Sequence, residues 1–312
     1  SLFGQMIPAT KFPRIVSYLP MAHIAARAGD HYQAIYRIGQ IFPVPVLEDM
    51  RDALPTIKPS VFLAVPRVWE KFKAGLEARI EENPKKDLIA KAIQNGLEKV
   101  DYEQKGESVP FMVGLKDKIF AKLVFSKFKE GLGIVDTEYF VTAAAPMNKD
   151  VHRWFHAIGI DVTEIYGMTE DTGPATIGVP GNAVESFEKR LKVDSIKVPS
   201  VLNPIGKVGI PIPGTEVKVM EDGELCIKGN HVAQGYFKSE EQTKETFDAD
   251  GWLHTGDLAE IDDEGYVKII GRKKEILITS AGKNIAPVEV EDLIKPHQLI
   301  GQVCVVGDGK KY

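Results

Sequence analysis

Apolar residues between positions 14 and 70 fall into short, nearly uninterrupted runs, which are separated by prolines and by segments of helical character. The runs cover residues 15–19, 41–46 and 61–65, and they are rich in β-branched side chains. Uninterrupted apolar runs of strand length are typical of strands that are buried on both faces of a parallel sheet. The pattern therefore predicts an α/β arrangement in which helices cover a mostly parallel sheet.

The apolar positions recur about every four residues after Pro66. The first positions of this kind are Val68, Phe72, Leu76 and Ile80. This spacing among charged side chains predicts an amphipathic helix, and similar spacing over 88–100 and 115–124 predicts two more. We expect residues 67–131 to form a helical insert in an α/β domain that covers 1–204.

The third of these helices is basic. Between residues 116 and 130 the chain holds five lysines and two acidic residues around a face of Ile, Phe, Leu and Val. A basic amphipathic helix can lie on an anionic membrane, which predicts peripheral membrane contact through residues 115–130. The same pattern fits a packed helix with a solvated outer face, which is the more usual case. Both interpretations stay open at the level of sequence.

Apolar and polar residues alternate with a period of two beyond residue 204. The alternating segments are 216–220, 224–228, 258–261 and 266–270. They flank an Asp-Gly turn and a second polar turn, so they predict two successive hairpins in a small antiparallel β-barrel or sheet at 205–273. A strand-like run at 275–279 and a helix opened by Pro287 then indicate the start of a small α+β C-terminal domain at 274–312.

Composition narrows the class of protein. The chain has 312 residues, with 39 Lys and Arg against 44 Asp and Glu, and this mild acidity argues against nucleic acid as the principal partner. No apolar run approaches the ~20 residues that a membrane span needs, and the first residues lack a signal-peptide pattern. Cys226 and Cys304 stand in apolar, strand-like runs, so we expect buried free thiols. These features predict a cytoplasmic protein.

His152 and His156 stand four residues apart on a predicted helix, which is a spacing that metal ligands use. No Glu follows His152 to give the H-E-x-x-H pattern, and no third ligand is near in sequence. We therefore expect packing or surface histidines.

Five short motifs follow one another in a fixed order. They are Thr-Ala-Ala-Ala-Pro at 142–146, Tyr-Gly-Met-Thr-Glu at 166–170, His-Thr-Gly-Asp at 254–257, Gly-Arg-Lys-Lys at 271–274 and Ser-Ala-Gly-Lys-Asn at 280–284. Together they resemble the core signatures of the adenylate-forming superfamily of acyl-CoA synthetases, luciferases and peptide-synthetase adenylation domains. Leu-Pro-Met-Ala-His at 19–23 and Val-Pro-Arg-Val-Trp-Glu-Lys at 65–71 resemble the long-chain fatty acyl-CoA synthetase branch.

The resemblance implies a fold and a reaction. The fold is a partial large adenylate-forming domain, mostly parallel sheets with helices plus a small antiparallel β-barrel, followed by the start of the C-terminal domain. The reaction activates a fatty acid with ATP and Mg²⁺ through acyl-AMP and transfers the acyl group to CoA. Such chemistry depends on positioning and charge stabilisation, so it agrees with the absence of a G-x-S-x-G nucleophile motif from the sequence.

The 166–170 motif carries the central site prediction. Glu170 follows a strand and a tight turn, so its carboxylate is expected at the carboxyl edge of a sheet, where a hard oxygen ligand suits Mg²⁺. By resemblance, Thr169 offers a hydroxyl to the α-phosphate, and Tyr166 with Gly167 meets the adenine. The alternative for Glu170 is an ordinary acidic residue at a helix N-terminus, stabilised by the helix dipole.

Small residues at 143–146 fit a backbone wall against a flat base, and the resemblance assigns Ala145 and Pro146 to adenine. Relatives more often have Gly early in this turn, so Ala144 departs from the family pattern. Asp257 is expected to accept the ribose hydroxyls, and Arg272 to reach the ribose or the phosphates. The alternatives are a turn-forming Asp and a solvated charge.

The remaining site predictions also come from the resemblance. Lys274 occupies the hinge about which the C-terminal domain rotates between half-reactions. Gly282 meets the pantetheine arm of CoA, where a glycine allows close approach of the backbone, and Lys283 meets a CoA phosphate. His23 lines the acyl pocket near the carboxylate, and Arg27 stands where some long-chain relatives carry a gating Trp.

Two elements of the family pattern have no counterpart in the sequence, the Ser/Thr/Gly-rich phosphate loop and the C-terminal lysine. We therefore expect the chain alone to be incomplete for catalysis. Two alternatives to the CoA ligase stay open. One is a fatty acyl-AMP ligase that loads a carrier protein, and the other is a truncated, non-catalytic binding fragment.

Overall fold

A computed structural model describes residues 12–179, 181, 199–278, 284–294, 300 and 302–307. The chain divides into two compact units, which are Ser1–Pro213 and Gly214–Tyr312. Among the described residues, no helix combines the length and the apolar character that crossing a membrane requires.

A seven-stranded sheet forms the centre of the first unit. Its strands are β1 (Arg14–Ser17), β2 (Gln40–Pro43), β3 (Val61–Ala64), β4 (Tyr139–Thr142), β5 (Val162–Met168), β6 (Gly173–Ile177) and β7 (Ile210–Pro211). The spatial order is β2-β1-β3-β4-β5-β6-β7. The first five strands, β1 to β5, pair with their neighbours in parallel. Strand β6 pairs antiparallel with β5, and β7 pairs antiparallel with β6. The three early apolar runs are thus confirmed as strands of a mostly parallel sheet.

Helices fill the connections between these strands. They are α1 (Ile24–Ala26), α2 (Gln33–Arg37), α3 (Met50–Ile57), α4 (Pro66–Glu81), α5 (Lys86–Gln104), α6 (Phe111–Phe120), α7 (Ser126–Leu132) and α8 (Lys149–Ala157). The π-helical segments Arg27–Tyr32 and Ala121–Phe125 join α1 to α2 and α6 to α7. The three helices of the insert are confirmed, and α4 begins with proline at its first turn, where the fixed φ of proline suits a helix start.

Trp69 packs the insert against the sheet. Its side chain is completely buried, and its ring contacts Phe62, Phe140 and Phe155 at centroid distances of 5.5, 6.2 and 5.0 Å. The indole Nε1–H donates to the carbonyl of Ala64 at 3.2 Å, so the one polar atom of the side chain is satisfied. This contact holds α4 on β3 and β4, and so supports the sheet edge at which β4 ends.

The second unit contains a four-stranded antiparallel sheet. Its strands are β8 (Thr215–Val219), β9 (Glu224–Gly229), β10 (Leu253–Ile261) and β11 (Val267–Arg272), in the order β11-β10-β9-β8. Both predicted hairpins are confirmed. Within the described residues the four strands form a sheet with two edges, not a closed barrel, because β8 and β11 do not pair.

Shorter elements complete this unit. They are α9 (Glu240–Thr246), the 3-10 turn Lys273–Glu275, β12 (Leu277–Ile278), β13 (Asn284–Ile285) and α10 (Pro287–Ile294). β12 and β13 pair as antiparallel strands. The predicted helix opened by Pro287 is confirmed.

One cysteine prediction is wrong. Cys226 lies buried in β9 as expected, but Cys304 is exposed. Residues 302–307 have no regular secondary structure. An apolar run of four residues is too short to fix a strand by its pattern alone.

The histidine pair on α8 is a packing feature, as expected. His152 is fully buried, and its Nε2–H donates to the carbonyl of Val162 at 2.6 Å. Its Nδ1 lies 3.2 Å from a carboxylate oxygen of Glu164. Burial, reinforced by His152, lowers the pKa of His156 to about 4. Both rings therefore bond to β5 and hold α8 against it.

Candidate active site

Three of the predicted loops leave the carboxyl ends of parallel strands. The loop that carries His23 follows β1, the 143–146 turn follows β4, and the Thr169–Asp171 turn follows β5. Thr142, the last residue of β4, pairs with Glu164 in β5, so the 143–146 turn begins close to Tyr166. The carboxyl edge of a parallel sheet is where α/β proteins bind ligands.

The turn after β5 is a 3-10 turn of Thr169–Asp171 that leads directly into β6. Thr169 is exposed, and Tyr166 and Glu170 are half-buried. The Thr169 hydroxyl and the Glu170 carboxylate thus stand next to each other on a turn at the sheet edge.

Gly167 is required by the close approach of two strands. A Cβ atom at this position would lie 1.7 Å from the carbonyl oxygen of Gly173. The pairing of β5 with β6 is also irregular between Tyr166 and Gly167. No larger residue fits here without moving β6, so the glycine of the motif has a packing role beside its predicted contact with adenine.

Asp171 fixes the turn, and sequence reasoning missed it. One carboxylate oxygen accepts hydrogen bonds from the backbone N–H groups of Met168 and Gly173, both at 3.0 Å. Burial raises the pKa of Asp171 to about 7, aided by the charge of Glu170 and opposed by the two N–H donors. The signal available in the sequence was an Asp two residues before a Gly, which is the spacing of an Asx turn.

The turn after β4 stores backbone strain. Ala144 has a φ of 75°, in the left-handed region that favours glycine. Ala145 and Pro146 are exposed, and the next residue, Met147, is buried, with its N–H donating to Glu164 in β5 at 3.4 Å. The turn therefore presents small exposed residues from a backbone that is tied to β5.

His23 caps the helix that follows it. Its Nδ1 accepts a hydrogen bond from the N–H of Ala25 at 3.1 Å, and the ring is exposed. Because Nδ1 accepts, the neutral ring carries its proton on Nε2. Arg27, at the position of the family's gating Trp, donates from Nε to the carbonyl of Met21 at 2.8 Å.

In the second unit, Asp257 and Arg272 face each other across β10 and β11. Arg272 Nε lies 2.9 Å from a carboxylate oxygen of Asp257, which is nearly buried. The Thr255 hydroxyl donates to the carbonyl of Leu225 and accepts the N–H of Asp257, while Gly256 takes a φ of 71°. The structure thus brings two predicted site residues together on neighbouring strands, beside an irregular stretch of β10.

Glu224 supports this irregular stretch of β10 from β9, and its role was not predicted. Its carboxylate accepts the N–H of Gly256 at 2.9 Å and lies 2.9 Å from the ammonium of Lys273. Although burial opposes ionisation, hydrogen bonds from Lys273, His254 and Gly256 hold the pKa of Glu224 below its usual value. Only the pairing of β9 with β10 brings Glu224 to Gly256, so no local pattern revealed it.

Glu224, Cys226 and His254 bring their donor atoms within 4.8 Å of one another. Lys273 already balances the charge of Glu224 through the same oxygen that lies 3.2 Å from His254 Nδ1. We assign no metal ion to this cluster.

Three predicted site residues remain, which are Lys274, Gly282 and Lys283. Lys274 is exposed in the 3-10 turn Lys273–Glu275 that follows β11. Gly282 and Lys283 lie outside the described residues.

Comparison with known proteins identifies the chain at the level of family. The model of the family described as AMP-binding enzyme matches residues 3–237. The putative fatty-acid–CoA ligase fadD11 of Mycobacterium tuberculosis is 35% identical over 304 residues, covering 96% of this chain and 50% of that protein. The long-chain-fatty-acid–CoA ligase ACSBG2 of Xenopus laevis is 34% identical over 309 residues, covering 96% of this chain and 39% of its own length. The chain thus spans about half or less of the length of these relatives.

Solved structures support the same fold. The o-succinylbenzoate CoA synthetase MenE of Bacillus subtilis, in complex with its acyl-adenylate intermediate, superposes with a TM-score of 0.64 at 18% identity, covering 99% of this chain and 51% of MenE. A fatty acyl CoA synthetase of Mycobacterium tuberculosis superposes with a TM-score of 0.57 at 23% identity, covering 99% of this chain and 50% of that chain. At these identities the likeness establishes the fold.

Proposed function

Because the chain belongs to the AMP-binding enzyme family, we propose that it supplies the nucleotide- and acyl-binding part of an ATP-dependent long-chain fatty acid–CoA ligase. The observation that carries the proposal is the meeting of three motif-bearing loops at the carboxyl edge of one parallel sheet. The names of the relatives, which are fatty-acid–CoA ligases, support the choice of acid and acceptor.

The edge of the sheet suits a nucleotide and a metal ion. Glu170 offers a hard oxygen ligand of the kind that Mg²⁺ prefers, and Thr169 offers a hydroxyl to the α-phosphate, on a turn that Asp171 holds in place. When bound, Mg²⁺ would neutralise part of the negative charge of the phosphates. Tyr166 together with the exposed Ala145 and Pro146 provides flat surfaces for adenine.

His23 is proposed to orient the fatty acid. The cap bond to Ala25 holds the ring and leaves the proton on Nε2, so the ring can donate a hydrogen bond to a carboxylate. Arg27, which stands where some long-chain relatives carry a gating Trp, is bonded to the carbonyl of Met21.

The second unit is proposed to bind the ribose and to provide the hinge and the CoA contacts for the second half-reaction. Asp257 accepts the ribose hydroxyls, and the ion pair of 2.9 Å with Arg272 orients its carboxylate. Lys274 is the proposed hinge residue, and Gly282 and Lys283 are the proposed contacts of CoA.

The chemistry needs no nucleophilic side chain. A carboxylate oxygen of the fatty acid attacks the α-phosphorus of ATP, and pyrophosphate leaves as the acyl-AMP anhydride forms. The CoA thiol then loses its proton and attacks the acyl carbon, and AMP leaves. The protein contributes position and charge stabilisation to both steps.

The test is an assay of the chain in its native polypeptide with palmitate, ATP, Mg²⁺ and CoA, with products identified by mass spectrometry. We expect palmitoyl-CoA and AMP, and we expect Glu170→Gln to lower kcat by at least about a hundredfold, as for removal of a group that stabilises transition-state charge. Glu82→Gln, an exposed acid at the end of α4, is the matched control and should leave the rate unchanged.

Other products would change the assignment. Acyl-AMP that accumulates and does not react with CoA would move the protein to the carrier-loading class. Absence of both products would contradict the proposed activity.

A further inference from the structure

The outer face of the basic insert helix is apolar. Four large side chains recur every four residues along α6 and the π-helical segment after it: Phe111, Leu115, Ile119 and Leu123. Their exposed fractions are 80%, 41%, 49% and 59%, and Met112 beside them is 57% exposed. This outer face, defined by these five residues, is about 20 Å long at the rise of a helix. A soluble helix normally turns a polar face outward.

The opposite face of the helix is packed, so the outer face is not a sign of a poorly held segment. Val113, Val124 and Phe125 are buried. Asn95 in α5 donates to the carbonyl of Val113 at 3.2 Å, and Lys99 lies 3.0 Å from Asp117. The helix is therefore fixed to α5 while its five apolar side chains stay exposed.

Positive charge accompanies the outer face. Lys116, Lys118, Lys122 and Lys127 are all exposed. The acid within this stretch, Asp117, is turned towards Lys99, and its side chain is only 17% exposed. Long lysine side chains can lie beside an inserted apolar stripe and keep their ammonium groups at the level of lipid phosphates.

We propose that this outer face binds the surface of an anionic lipid bilayer, with the helix lying in the plane of the interface. Apolar side chains on one face and lysines beside them are the features that an interfacial helix requires. The whole chain carries a formal charge of −5. That charge is spread over the molecule, and at physiological salt only charges within about 8 Å act strongly on the lipid headgroups, so the local lysines dominate. The proposal rests on this surface and not on the ATP chemistry.

Vesicle sedimentation tests the proposal, with the chain mixed with vesicles of phosphatidylglycerol and phosphatidylcholine in equal parts, or of phosphatidylcholine alone. We expect binding to the anionic vesicles that weakens as salt rises, because the Debye length shortens from about 10 Å at 0.1 M to about 3 Å at 1 M. The double variant Phe111→Glu/Leu115→Glu should bind at least tenfold more weakly. Phe237→Glu is the matched control, since Phe237 is 90% exposed in the second unit, and it should bind as the parent does.

A second variant separates loss of binding from loss of fold. Lys118→Gln/Lys122→Gln keeps every apolar residue and removes two charges. It should bind anionic vesicles about thirtyfold more weakly, since each of the two lysines contributes about 1 kcal/mol near such a surface. Circular dichroism should give the same spectrum for the parent and all three variants.

Three results would overturn the proposal. The first is no binding to anionic vesicles above the phosphatidylcholine background. The second is an equal loss of binding in the Phe237→Glu control. The third is light scattering that shows a dimeric parent and a monomeric Phe111→Glu/Leu115→Glu variant, because the outer face would then be covered by a second copy of the chain.

Discussion

Asp171 shows how one buried side chain can govern the residues that do the proposed chemistry. Its carboxylate bonds the backbone N–H groups of Met168 and Gly173, which stand on either side of Thr169 and Glu170. The other oxygen is buried, with no hydrogen-bond partner among the described residues. An ionised carboxylate in such surroundings costs free energy, which explains the raised pKa.

The raised pKa predicts how stability depends on pH. The folded pKa of about 7 lies above the ordinary value of 3.8. Between those values the folded state binds more protons than the unfolded state, so the free energy of unfolding should fall as pH rises from about 4 to 7. Asp171→Asn keeps an oxygen that accepts both N–H groups and has no proton to lose. Urea unfolding of parent and variant across this range measures the difference.

We expect the variant to show the smaller dependence on pH, and Glu82→Gln, a change at an exposed acid at the end of α4, to unfold as the parent does. Parallel curves for the parent and Asp171→Asn would contradict the assignment of this titration to Asp171.

At the scale of elements, the turn between β4 and α8 combines strain with exposure. Ala144 adopts a left-handed φ of 75°, and the family pattern has glycine early in this turn. A non-glycine residue there costs about 1–2 kcal/mol. Strain of this kind tends to occur at functional sites, which agrees with the proposed adenine-binding role of the neighbouring Ala145 and Pro146.

Ala144→Gly should therefore stabilise the first unit. Relief of strain is partly offset by the greater entropy of glycine in the unfolded chain, so we expect a gain of about 0.5 kcal/mol. Ala145→Gly is the matched control. Ala145 is not among the residues with positive φ, so its replacement should destabilise by about 0.4–1 kcal/mol. Chemical unfolding followed by tryptophan fluorescence measures the free energy of unfolding of both variants. A loss of stability in Ala144→Gly would contradict the proposal that Ala144 is strained.

Elements were predicted well where burial imposes a period on the sequence. The strands at the sheet centre and the helix from Pro66 follow from apolar runs and four-residue spacing. The π-helical segments Arg27–Tyr32 and Ala121–Phe125 were not predicted, because one extra residue in a turn leaves little trace in an apolar pattern. The exposure of Cys304 was missed for a related reason, since a short apolar run does not reveal what covers it.

At the scale of the whole molecule, motif positions were predictable and their supports were not. Glu170, Asp257 and Arg272 were visible from their motifs. Asp171 and Glu224 act through backbone groups that only a turn or a strand pairing brings to them. A motif names candidate ligand contacts, whereas the residues that support them act through a local turn, as Asp171 does, or through a strand pairing distant in sequence, as Glu224 does.

In the proposed reaction, a fatty carboxylate attacks the α-phosphorus of ATP. The most direct measurement uses palmitate labelled with oxygen-18 in both carboxylate oxygens, with ATP, Mg²⁺ and CoA, and the chain in its native polypeptide. Attack through the carboxylate transfers one labelled oxygen, so we predict AMP that is heavier by one oxygen-18 and palmitoyl-CoA that retains the other. Unlabelled AMP, or ADP with labelled inorganic phosphate, would contradict the proposed attack on the α-phosphorus.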